Sequence, residues 1–401
     1  MADRGQTMIG MLNTKFLKAL GVGVSLCYVV GSYASSPAPV AIPKETLGNI
    51  LFNDPTLSNP VGQSCATCHK PDQAFADPGQ ATSEGAMKGV FGSRNTPSLL
   101  YASFATAFGR PKYENEWMGG VFWDGRADTL QAQALGPLLN PIEMNNTVEG
   151  LAKKLRAAGY YDNLKQVYGE SLDSDDQAVV DAAADALAIF QQTEQFHPFT
   201  AKFDYVEFGL LEFTEQEANG QRLYNGKAHC IDCHAGRSGP YQLFTRFKHH
   251  NILVPRNTEL AFYGQAKDVN PQGKAFIDTG TEANPHLSSE DKRRARGLFR
   301  TPSLRNLTLT APYMHNGVFN TLEEVIDFYD DVDAFEPEIA DNSSSMLIRK
   351  LDLTDTEKAD LLAFLKTLTD GYKVPQDTYK ALRAKQLKMK QQLESQQAND
   401  G

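Results

Sequence analysis

Cys65-Ala66-Thr67-Cys68-His69 and Cys230-Ile231-Asp232-Cys233-His234 are the two stretches that decide how this chain folds. Each reads C-x-x-C-H, the signature of covalent c-type haem attachment. Two thiols three positions apart reach the two vinyl groups of one porphyrin, and the adjacent His presents its imidazole to the iron as proximal ligand. A zinc site needs four ligands brought together, and a redox C-x-x-C needs no His. Disulfides are the other use an exported chain makes of cysteine, but the His after each pair argues against them. The chain has five cysteines, and the two motifs take all but Cys27.

The motifs lie 165 residues apart, and an internal repeat surrounds them. Thr96-Pro97-Ser98-Leu99 recurs as Thr301-Pro302-Ser303-Leu304, and Asp124-Gly125-Arg126-Ala127-Asp128-Thr129-Leu130 as Asn316-Gly317-Val318-Phe319-Asn320-Thr321-Leu322. Strand alternation is scarce. Apolar residues at helical spacing mark helices over Gln177–Gln192 and Glu357–Leu368, the second opened by a Thr354/Glu357 capping box. The expected fold is mainly α: two tandem cytochrome-c-like haem domains with extensive loops. They span 45–205 and 206–372, with the boundary near Asp204–Thr214. A polar tail follows over 373–401, and its Lys380–Gln397 stretch reads as a solvated helix or disorder.

Residues 1–34 differ from the rest. Arg4, Lys15 and Lys18 precede an apolar run from Ala19 to Val30, and Ser32-Tyr33-Ala34 offers small residues for cleavage. This reads as a secretory signal cut after Ala34, taking Cys27 with it and leaving a periplasmic protein with no membrane attachment. The alternative is a retained anchor, for which the run is short and interrupted by Gly21, Gly23 and Ser25. The formal net charge is −10, and removing a signal of net +2 leaves −12. Such a chain repels nucleic acid and suits basic protein partners.

The repeat also separates the two irons. Aligned on Thr-Leu, Pro137 and Tyr329 take equivalent positions. A tyrosine supplies an oxygen ligand and a proline supplies none, so one haem is closed and the other open. His69 is the only His before residue 197. Apart from His234, the other histidines (197, 229, 249, 250, 286 and 315) read as surface, propionate-contacting or packing residues. Met87, Met118 and Met144 are possible ligands, though surface or packing roles suit each. An open ferric haem binds peroxide, and cleaving the O–O bond needs a nearby proton carrier. Glu143 and Gln133 are candidates; by composition alone, a Glu in a loop is a solvated charge.

Further stretches carry a resemblance. Leu51-Phe52, Leu57-Ser58, Ala74-Phe75, Arg94-Asn95-Thr96-Pro97, Phe122-Trp123-Asp124-Gly125-Arg126-Ala127, Asn140-Pro141-Ile142-Glu143-Met144, Thr310-Ala311-Pro312-Tyr313-Met314-His315-Asn316-Gly317 and Ala363-Phe364-Leu365-Lys366-Thr367-Leu368 occur in order between about residues 45 and 370. The chain resembles the bacterial dihaem cytochrome c peroxidases, most closely their MauG-like branch. The resemblance implies two haem c groups and these roles: Glu143 as acid–base at the peroxide site, Gln133 and Pro137 lining its pocket, and Trp123 relaying electrons or holes between haems. It also implies that Asn95, with the backbone of Thr310 and Pro312, binds calcium. Asn95 otherwise caps a turn, and Trp123 otherwise packs in the core.

Two departures from the ordinary peroxidases matter. Those enzymes carry a His in the Gly-rich loop that here runs from Gly85 to Gly92, where this chain has Met87 and no His. They also carry a Met where this chain has Tyr329; the MauG-like branch is similar to this chain in having a Tyr. The expected function is oxidation of a protein substrate by hydrogen peroxide, with oxidising equivalents shared over both haems. The alternatives are reduction of peroxide with electrons from a small cytochrome or cupredoxin, and pure electron carriage.

Overall fold

A glycine on the inner face of a short helix lets a second helix approach to backbone contact, and this chain uses the device twice. The structure, a computed structural model, describes residues 42–400. The predicted signal, with Cys27, lies outside them. The helices of the first half are α1 (Lys44–Phe52), α2 (Cys65–Cys68), α3 (Leu130–Leu139), α4 (Val148–Ala157), α5 (Tyr161–Tyr168), α6 (Asp176–Phe190) and α7 (Lys202–Glu207). Those of the second are α8 (Glu215–Asn225), α9 (Cys230–His234), α10 (Ser289–Ala295), α11 (Leu322–Asp330), α12 (Asp355–Lys366) and α13 (Gln376–Asp400). The strands are short: β1 (Arg237–Ser238) pairs antiparallel with β2 (Tyr241–Gln242), and β3 (His249–His250) with β4 (Phe299–Arg300). The molecule is mainly α with long loops, as expected.

In the first half α1 crosses α6, and in the second α8 crosses α12. A Cβ on Gly48 would overlap the Ala186 carbonyl and crowd Phe190; one on Gly220 would overlap the Asp360 carbonyl and crowd Phe364. The matching sequence is Gly48-Asn49-Ile50-Leu51-Phe52 and Gly220-Gln221-Arg222-Leu223-Tyr224. Around each crossing sits an apolar core. One draws its buried residues from 47–196, including Leu51, Leu138, Leu151, Val179 and Phe196; the other draws on 203–368, including Phe203, Tyr224, Phe244, Phe364 and Leu368. Forcing a methyl into such a crossing costs about 1–3 kcal/mol. Gly220→Ala should therefore lower the urea midpoint of the holoprotein; an unchanged midpoint would show that the helices part without penalty.

The Thr-Leu repeat has a local cause. Thr129 caps α3 by accepting from Ala132 N at 3.1 Å, and Thr321 caps α11 by accepting from Glu324 N at 3.1 Å. The two helices start in the same way, so Pro137 and Tyr329 stand at the same position along them. Thr354 and Glu357 form the expected capping box on α12.

The halves are tied by charge. Arg94 holds Asp278 through Nε at 2.6 Å and Nη2 at 2.7 Å, and Lys248 bonds Glu114 and Glu116 at 2.6 and 2.8 Å. The tail is the largely solvated helix that the sequence offered as one alternative, not disorder, but it is also anchored. α13 is docked: Leu382 is fully buried, Gln386 Nε2 donates to Phe199 O at 2.9 Å, and Lys385 Nζ to Phe208 O at 2.7 Å. Its amides and ammonium groups satisfy carbonyls of the segment that joins the halves. Among the described residues no helix is long and apolar enough to cross a membrane.

Candidate functional site

The two C-x-x-C-H segments are built alike. His69 Nδ1 lies 2.8 Å from Phe75 O, and His234 Nδ1 lies 2.8 Å from Phe244 O. A ring nitrogen facing a carbonyl must carry the proton, which leaves Nε2 with its lone pair for a metal. Burial pushes His234 down to about 4 and His69 in the same direction, so both rings are neutral. Phe75 and Phe244 both have left-handed backbones, with φ of 53° and 55°. Each is fixed by the serine of the Thr-Pro-Ser-Leu repeat: Ser98 Oγ donates to Ala74 O at 2.5 Å, and Ser303 Oγ to Leu243 O at 2.7 Å. That repeat therefore positions the carbonyl that orients each histidine.

Around the second motif the chain leaves a cavity with about 1630 Å³ of empty space, its open mouth included. Cys230, Cys233, His234 and Tyr329 line it together with an apolar wall that includes Leu304, Ile326, Leu347 and Leu365. Burial beside the two thiols raises the Tyr329 phenol above its usual range. Paired thiols and a neutral imidazole converging on an apolar cavity fit a covalently held haem, and the Tyr329 phenol lines the same cavity.

Around the first motif, Gln63 Nε2 reaches Cys68 Sγ at 3.4 Å and Glu84 O at 3.0 Å, and Ala86 N donates to Glu143 O at 2.7 Å. The Gly-rich loop is thus fastened to both the Cys pair and Glu143. Gln133 and Pro137 project from α3; Gln133 is buried, and Pro137 O accepts from Met144 N at 3.1 Å. Burial raises the Glu143 carboxyl above the usual range, with Arg126 opposing. Met87 is 45 % exposed and Met144 is packed in the first core, which gives them the surface and packing roles the sequence suggested.

Trp123 lies between the halves. It lines the cavity of the second motif and also a second cavity, of about 800 Å³ of empty space, and its Nε1 donates to Asn95 O at 2.9 Å. The second cavity brings Asn95, Thr310 and Pro312 together. Asn95 gives its Nδ2 to Gln80 O and Ala81 O, at 3.3 and 3.2 Å, leaving Oδ1 without a protein partner among the described residues. An amide oxygen together with backbone carbonyls would make a hard donor set of the kind calcium takes.

Sequence reasoning undervalued two histidines. His250 and His315 line the cavity around His234, and each has a buried Nε2 without a hydrogen bond. His315 stacks on Phe299 with ring centroids 3.6 Å apart, and its backbone carbonyl accepts from Asn95 N at 2.7 Å. The one sequence signal was the Met-His-Asn-Gly segment, which offers no reason to bury the His.

Residues 43–209 match the family described as di-haem cytochrome c peroxidase. The chain is 39% identical over 350 residues to the methylamine utilization protein MauG of Paracoccus denitrificans, covering 81% of this chain and 88% of that one. It is 30% identical over 326 residues to the cytochrome c551 peroxidase of Nitrosomonas europaea, covering 80% and 79%. The crystal structure of the diheme peroxidase BthA from Burkholderia thailandensis E264 superposes with a TM-score of 0.72 at 31% identity, covering 83% of this chain and 88% of that one. Agreement in sequence over most of both chains, and in fold, has one meaning: this chain belongs to the di-haem cytochrome c peroxidase family and is a peroxide-dependent dihaem oxidoreductase.

Proposed function

We propose that this chain is a MauG-like enzyme that uses hydrogen peroxide to oxidise a protein substrate, working in the periplasm after its N-terminal segment is removed. The observation that carries the reading is the pairing of Pro137 and Tyr329 at the same position of matched helices. When bound, a haem would supply redox chemistry at its iron, including reaction with peroxide. Cys65, Cys68 and His69 hold the first haem, and Cys230, Cys233 and His234 the second. Pro137 keeps the outer face of the first haem free of a protein donor. Glu143 would carry a proton at the peroxide site, Gln133 would hold peroxide there by hydrogen bonding, and Tyr329 would supply a second oxygen donor to the second haem. Trp123 carries charge between them, and Asn95 with the carbonyls of Thr310 and Pro312 holds a calcium ion beside it.

The domain assignment follows the same reading: 45–205 forms the peroxide-reacting domain and 206–372 the electron-transfer domain. The acidic balance, −10 over the whole chain, favours a second reading, in which a basic small cytochrome or other redox protein donates electrons and peroxide is reduced to water.

One preparation tests the foundations. Native mass spectrometry should count two haems and one calcium per chain, and both haems should remain after denaturation. A single haem, or zinc in its place, sinks the reading; loss of calcium on chelation with no change in either haem spectrum removes calcium from the site. Mixing the fully ferric protein with peroxide then separates the two functions. A direct spectral reaction supports the MauG-like reading, and inertness until one haem is reduced supports the ordinary peroxidase.

A further inference from the structure

Three arginines are set into the seam between the halves, and only one lacks an anion. Arg94 bonds Asp278 and Asp124, and Arg305 bonds Asp204 through Nη1 at 2.9 Å and Nη2 at 2.7 Å. Arg300 sits on β4, and its two firm bonds are to carbonyls: Nε to Phe122 O at 2.9 Å and backbone N to Trp123 O at 2.8 Å. Among the described residues its Nη1 and Nη2 have no hydrogen-bond partner, and no carboxylate lies within ion-pair distance. The Asp124 charge acts on Arg300 from beyond that distance, but its carboxylate is already bonded by Arg94 and Arg126. Burial pushes the guanidinium down to about 10, so it stays charged at neutral pH.

A half-buried cation with no counter-charge gains from a ligand that supplies one. Arg300 lines the cavity around His234 and also the cavity that holds Asn95 and Trp123. Its planar fork matches a carboxylate in two parallel hydrogen bonds. Haem carries two propionate carboxylates, and no carboxylate among the described residues is placed to fill the role.

We propose that Arg300 pairs with a propionate of the haem attached at Cys230 and Cys233, and through its bonds to the Phe122 and Trp123 carbonyls holds the Trp123 segment against that haem. Arg300 is thus a positioning residue; the proposal rests on the placement of the second haem in this cavity. A fixed positive charge beside a haem favours the reduced state. Removing it lowers that haem's midpoint potential and frees its propionate.

The experiment uses holoprotein carrying Arg300→Gln or Arg300→Lys. The haem on each Cys-x-x-Cys peptide is counted first. With both haems present, Arg300→Gln should shift the second haem's midpoint downward, leave the first haem's midpoint in place, and move one propionate bending band in resonance Raman. Arg300→Lys should restore most of the midpoint while still altering the band, because an ammonium cannot make the paired bonds. Unchanged midpoint and band in Arg300→Gln would overturn the proposal, and so would a shift confined to the first haem. If Arg300→Gln yields no holoprotein, the band in Arg300→Lys decides: unchanged, it overturns the pairing. A wild-type chain without haem on the Cys230–Cys233 peptide overturns the reading beneath it.

Discussion

Replacing Tyr329 by Met should raise the reduction potential of the second haem and reduce the share of oxidising equivalents held there after peroxide reacts. Tyr329 stands on α11 and lines the same cavity as His234 and the second Cys pair. A phenolate is a hard anionic donor that favours ferric and more oxidised iron, whereas a thioether favours the reduced state. On the proposed reading, a haem bound by Tyr329 would be a poor acceptor from small donor proteins and a good reservoir for an oxidising equivalent. Potentiometry of the two haems and rapid mixing of diferric protein with peroxide read both effects. Tyr329→Phe adds a control that keeps the ring and deletes the donor. A ferric spectrum of the second haem that this variant leaves unchanged would show that Tyr329 is not its ligand.

Glu143→Gln should slow peroxide cleavage by roughly 10²–10⁴-fold, the usual contribution of a positioned acid–base group. Its backbone is fastened to the Gly-rich loop by the Ala86 N bond at 2.7 Å, and its carboxylate acts electrostatically on both cysteines of the first pair. Glutamine keeps the size and the hydrogen-bonding shape but cannot pass a proton between two oxygens. Peroxide should still bind, so the loss falls on the first-order step rather than on apparent affinity. Stopped-flow spectra over a range of peroxide concentrations separate the two. Kinetics equal to wild type would show that Glu143 carries no proton in the reaction.

The parts of this architecture that are legible in sequence are those written as fixed spacings. C-x-x-C-H needs its thiols and imidazole within one helical turn, so the haem sites are visible without any fold. The Thr-Leu repeat is visible because a helix cap demands a particular side chain, and the same offset then leads to Pro137 and Tyr329. The glycine crossings were equally regular but hidden. Phe52 precedes its Cys by 13 residues and Tyr224 by 6, so alignment on the cysteines breaks that part of the repeat. The unpaired Nε2 atoms of His250 and His315, and the unmatched charge of Arg300, exist only once β3 pairs with β4 and the seam closes. In sequence such residues are indistinguishable from surface ones. The docking of α13 was hidden for a different reason: one of its buried anchors, Gln386, is polar, so no apolar stripe marks the inner face.

The two helix crossings bear on how such a molecule came to be doubled. In each half the opening helix lies against the last long helix of its core, α1 on α6 and α8 on α12. A chain that enters and leaves a folding unit at neighbouring points can be copied end to end without rethreading either copy. Each copy keeps its own closure, its own serine-held carbonyl and its own histidine. Selection was then free to alter a single position eight residues into one capped helix, setting proline in one copy and tyrosine in the other, while the frame around both was left intact.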